Sequence, residues 1–152
     1  MEEPTAASLL EELRRLFPGE VLDFEVDDYL FAHGSPVLAL MYKQLLWPDF
    51  RACNDIVVWE GSGIDDDAIR RAYEQYGHDR SVTEKSCNFV EVPELFNRGD
   101  MSEELWEQLT RSMMDCWKAR LAGLYPDRTF VFEFLAPNDT TGEEMGFWFY
   151  QS

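Results

Sequence analysis

The stretch Thr129–Gln151, TFVFEFLAPNDTTGEEMGFWFYQ, decides how the rest of the chain is read. Phe130, Phe132 and Phe134 alternate with Thr129, Val131 and Glu133, and Phe147 and Phe149 alternate with Trp148 and Tyr150. Successive side chains of an extended chain point to opposite faces, so a period of two predicts strands. The polar NDTTGEE at 138–144 is a loop, which makes the pair a hairpin. One face of the hairpin carries the phenylalanines and belongs in a core. The other carries Val131, Leu135, Trp148 and Tyr150 and has two fates open to it: cover by helices, or contact with a partner. Chain ends are ordinarily polar and frayed, so four consecutive aromatics this near the carboxyl end require one or the other.

Elements upstream supply what the hairpin packs on. Ser8 to Phe17 reads as a helix, with capping-box spacing between Ser8 and Glu11 and an apolar face of Leu9, Leu10, Leu13, Leu16 and Phe17. EVLDFEV at 20–26 alternates like a strand with one wet face. Ser35 and Pro36 suit the cap and first position of a second helix, which Pro48 closes. Val37, Leu38, Leu40, Met41, Leu45 and Leu46 cover most of its circumference, and such a helix is expected to be buried.

DIVVWEG at 55–61 reads as a short buried strand. Asp65, Asp66 and Asp67 crowd the start of a third helix striped by Ile69, Ala72, Tyr73 and Tyr76 and ended by Gly77. Cys87 to Val92 reads as a strand, and Ser102 to Leu124 as a long helix. The sum is an α+β fold in a single domain over residues 1–152. It has a mixed or mainly antiparallel sheet of about five strands, packed with about four helices and ending in a C-terminal β-hairpin. A small α/β sandwich with helices on both faces is the alternative.

Charge narrows the partners. The chain has 30 acids against 13 bases, a net of −17. Residues 1–76 carry 16 and 6, and residues 77–152 carry 14 and 7, so no acidic tail accounts for it. Such a field repels nucleic-acid phosphate and anionic lipid and attracts basic proteins. Direct nucleic-acid and membrane contacts are therefore not expected. Cys53, Cys87 and Cys116 lack metal or redox spacing, and the start MEEPTAASLL lacks the basic-then-apolar pattern of a secretory signal. A reducing, cytoplasmic setting follows.

Chemistry is harder to find. The aspartates at 65–67 lack the alternate spacing and closing glutamate of a calcium loop and read as helix-start charges. GSG at 61–63 has the position of a phosphate loop, but the three aspartates after it would repel a phosphate. No catalytic residue, metal or cofactor is expected. The favoured reading is a non-catalytic acidic protein-binding module (an inhibitor, immunity or accessory protein) for a basic partner, with Trp148, Tyr150, Asp27 and Asp28 as contact residues. The alternatives are an enzyme or small-molecule binder assembled from His33, Asp27, Asp28 and Cys53, and a structural homo-oligomer subunit.

Overall fold

A computed structural model describes residues 6–16, 30–31, 33–96, 101–137 and 145–152. The strand expected at 20–26 and the pair Asp27 and Asp28 lie outside the described residues. The fold is α+β. Helices α1 (Ala6–Leu16) and α2 (Pro36–Leu46) precede a hairpin of β1 (Phe50–Cys53) and β2 (Ile56–Trp59). Helices α3 (Asp66–Gln75) and α4 (Arg80–Cys87) follow, then β3 (Val90–Glu91), the long helix α5 (Glu103–Leu124), β4 (Phe130–Leu135) and β5 (Gly146–Gln151). These strands form two antiparallel sheets, β1-β2 and β3-β5-β4.

The C-terminal hairpin has the predicted form. Phe132 lies opposite Phe149, and Glu133 opposite Trp148. Phe147 and Phe149 are fully buried around Trp117 of α5, whose ring meets Phe147 edge-on at 5.1 Å and Phe50 at 5.4 Å. Such pairs contribute about 0.5–1.5 kcal/mol each beyond the area they bury. Gly146 sits where β3 crosses closest. A β-carbon there would collide with the Val90 carbonyl oxygen, so only glycine fits the ladder.

Three expectations need correction. The helix α2 starts where Ser35 caps it, its hydroxyl accepting from Leu38 N at 3.5 Å, but it is not buried. Its C-terminal half packs inward, through Leu45 and Leu46 and through Tyr42, whose ring stacks on Phe96 at 6.1 Å. Val37 and Leu40 remain 66% and 65% exposed. The reason is one-sided packing: α5 meets α2 along that inward edge, where Trp117 Nε1 donates to the Leu45 carbonyl at 2.6 Å. The segment Cys87–Val92, expected as a strand, is one only at Val90–Glu91. Cys87 instead ends α4, a helix the apolar pattern does not reveal, and Val92 begins a 3-10 turn. Helix α1 begins at Ala6, two residues before the expected start at Ser8.

The first sheet holds an unexpected strand. β1 turns into β2 through Asn54 and Asp55, both left-handed at φ 48° and 72°, as a two-residue hairpin turn requires. β2 is buried on both sides. Val57 joins the main core with Phe50 and Trp117, while Ile56 and Val58 join a smaller core with Cys53, Ile69 and Cys87.

Glu84 of α4 and Asn88, the residue just past its C-terminal end, join the sheets. The alternation of the β1-β2 ladder turns the N–H and C=O groups of Val57 and Trp59 away from β1. The buried carboxylate of Glu84 accepts from Val57 N at 2.8 Å. Asn88 donates to the Val57 carbonyl at 2.8 Å and accepts from Trp59 N at 3.2 Å. On β5, the short β3 reaches only Phe147 and Gly146. Beyond it, Asn88 donates to the Phe149 carbonyl at 3.4 Å, and Glu84 accepts from Gln151 N at 2.6 Å and from Gln151 Nε2 at 2.5 Å. One helix turn thus supplies the hydrogen bonds that a strand between β2 and β5 would have made.

Glu84→Ala leaves the buried N–H groups of Val57 and Gln151 without acceptors. Its expected cost is about 3 kcal/mol in urea unfolding, since each orphaned buried donor costs about 1–3 kcal/mol. Glu107→Ala, which breaks only an exposed pair with Arg111, should change stability by less than about 0.5 kcal/mol. Equal effects would show that Glu84 does not join the sheets.

Candidate functional site

The outer face of the hairpin is organised by Glu133, the one acid among the phenylalanines of β4. Its Oε1 accepts from Tyr150 OH at 2.7 Å and Lys85 Nζ at 3.0 Å, and its Oε2 accepts from Trp148 Nε1 at 2.7 Å. Lys85 reaches down from α4 and lies over the Tyr150 ring at 4.3 Å and the Trp148 ring at 5.3 Å. Phe89 stands beside Trp148, with centroids 6.3 Å apart. Helix α4 therefore covers part of this face, and Trp148 and Tyr150 are half-buried. The bond from Tyr150, then those from Lys85 and Trp148, hold the Glu133 carboxyl down to about 2. The same bond from Glu133 raises Lys85 and Tyr150, so all three groups keep their charge states at neutral pH.

Trp148 and Tyr150, the contact residues expected from the sequence, are thus brought together, but their polar ends are already bound to Glu133. The more open apolar surface lies on α2. Val37, Leu40 and Met41 fall at spacings of three and four residues on the side turned from the core, with Met41 58% exposed. Leu38 and Tyr42 flank them, and Leu30 and Phe31 are also exposed just before the helix. Nothing in the sequence separates this stripe from a core stripe, because both are apolar at helical spacing.

Of the groups proposed for chemistry, Asp27 and Asp28 lie outside the described residues. Cys53 is buried in the smaller core, and burial, then the nearby Asp66 carboxylate, push its thiol up. Burial likewise raises Cys87. His33 is exposed, and His78 follows α3 with its ring edge-on to Tyr73 at 5.0 Å. The three aspartates of α3 have structural partners: Asp65 caps the helix by accepting from Ala68 N at 2.7 Å, Asp66 binds Arg51, and Asp67 binds Arg70. Among the described residues, no group of three or more His, Cys, Asp or Glu is placed to hold a metal ion, and no helix is long and apolar enough to cross a membrane. No protein-family model, curated protein or solved structure matches the chain.

Glu133 carries a pH prediction. Its carboxyl titrates at about 2 in the folded protein against an ordinary 4.5, so its stabilisation is present above pH 4.5 and is lost as pH falls toward 2. Glu133→Gln should lower the urea midpoint at neutral pH and flatten its decline across that window. Parallel acid limbs for the two proteins would contradict the role given to the carboxylate.

Proposed function

We propose that the protein is a non-catalytic binding module for a basic protein, with α2 as the apolar contact and the acidic surface as the steering field. The observation that carries this reading is the Val37, Leu40 and Met41 stripe, left outside the core on a helix whose only charged residue is Lys43. A contiguous apolar surface of this kind marks an interaction site, and aromatic and Met side chains are favoured at interface centres. The net charge of −17 supplies the complement to a cationic surface and accelerates encounter with it. The same charge argues against nucleic acid as the partner. The free thiols of Cys53, Cys87 and Cys116 support a reducing, cytoplasmic setting for the interaction.

The division of labour is physical. Long-range charge sets the rate of association and its salt dependence, while desolvation of the α2 stripe holds the complex together. Trp148 and Tyr150 are secondary on this reading, because a partner would have to compete with Glu133 and Lys85 for them.

Affinity capture from the native cell should retain a basic protein, and retention should fall as salt rises. The pair of substitutions Leu40→Glu and Met41→Glu should abolish retention while leaving thermal unfolding unchanged, since both side chains point away from the core. Capture that is indifferent to salt, or undiminished by the substituted helix, contradicts the proposal.

A further inference from the structure

A second surface is independent of α2. In the order β3-β5-β4, β4 is an edge strand. Ser152 N donates to the Thr129 carbonyl at 3.1 Å, which sets the phase of the β4-β5 ladder. By alternation, the backbone groups of Val131, Glu133 and Leu135 face β5, and those of Phe130, Phe132 and Phe134 face outward. Among the described residues nothing hydrogen-bonds to these outward groups. Every residue of β4 is only half-buried, whereas β5 beside it is buried at four of six positions. The strand FVFEFL carries no lysine, proline or bulge to deter pairing, and its one charge is taken up by Lys85, Tyr150 and Trp148.

We propose that this edge pairs with β4 of a second copy, antiparallel about a two-fold axis through Phe132. Phe132 then faces its own counterpart, and Phe130 faces Phe134. The outward groups are self-complementary in this register: all of them find partners, and the sheets β3-β5-β4 of the two copies become continuous. The phenylalanines of both copies fall on one face, and Glu133 lies opposite Val131 of the second copy rather than opposite another acid.

The ionic groups described at this margin do not oppose self-association. Two chains of net charge −17 repel, but the ionic groups beside β4 come in pairs. Arg111 lies over the Phe134 ring at 4.4 Å and is paired with Glu107, and Lys118 lies over Phe132 at 5.7 Å and is paired with Asp115.

Light scattering at rising concentration should give a mass approaching twice 17.8 kDa. The amides of Phe130, Phe132 and Phe134 should gain protection from hydrogen exchange as the dimer forms. Val131→Glu, placed against Glu133 of the second copy, should shift the protein to monomer, and Val131→Lys should leave it dimeric. A monomer at every concentration overturns the proposal. So does a dimer whose three outward amides exchange freely. Outward amides protected in a monomer would assign the edge to another part of the same chain, which overturns it too. If Val131→Glu does not fold, the exchange of the unaltered protein decides alone.

Discussion

The backbone of β2 and the last residues of β5 face each other with no strand between them, and the structure depends on what fills that gap. Buried N–H and C=O groups cannot be left unpaired without a cost of about 1–3 kcal/mol each. Glu84 on α4 and Asn88 at its C-terminal cap, four residues apart, accept from or donate to Val57, Trp59, Phe149 and Gln151. A carboxyl group with two acceptor oxygens suits the place because Val57 N, Gln151 N and Gln151 Nε2 all donate to it. Burial raises the Glu84 carboxyl, and the N–H groups of Val57 and Gln151 oppose that rise. Glu84 is thus subject to two effects of opposite sign, of which burial is the larger.

This joint also places the outer surface. Lys85 follows Glu84 on α4, and because neighbouring helix positions point in different directions it reaches the outer face of the hairpin rather than the edge of β5. There it meets Glu133, Trp148 and Tyr150. One short helix therefore closes the edge of β5 with one residue and organises its outer face with the next. The side chains of that face are bound to each other. Helix α2 differs: it is attached along one edge by Leu45, Leu46 and the Trp117 indole, and its Val37, Leu40 and Met41 side meets no part of the core. The contrast between a self-contained face and an open one directs the functional reading to α2.

How much of this was legible depends on what each signal encodes. The C-terminal hairpin was legible because period-two alternation of large residues admits few other readings. The cap at Ser35 was legible because a side-chain oxygen at the start of a helix has a local function. Helix α4 was not, since its inward positions Thr83 and Glu84 are polar and leave no apolar stripe. Its one local sign is Asp79, whose carboxylate caps it by accepting from Val82 N at 3.0 Å. The strand β1 was missed because FRAC is short and mixed, although Asn54 and Asp55 before the run IVVW are a hairpin signal. The exposure of α2 could not be read at all: hydrophobicity states what burial would stabilise, and not which element arrives to cover it. Glu133 has one local sign, a lone acid in a phenylalanine strand.

The central claim is that Glu84 and Asn88 stand in for a strand, and amide exchange at Val57 and Gln151 tests it most directly. Neither amide has a strand partner on the side it faces. The account predicts that both exchange as slowly as Val58 and Tyr150, whose amides lie within ladders, and that Glu84→Gln speeds Val57 and Gln151 together ahead of those two. Rapid exchange of Val57 or Gln151 in the unaltered protein, with Val58 and Tyr150 still protected, would contradict it.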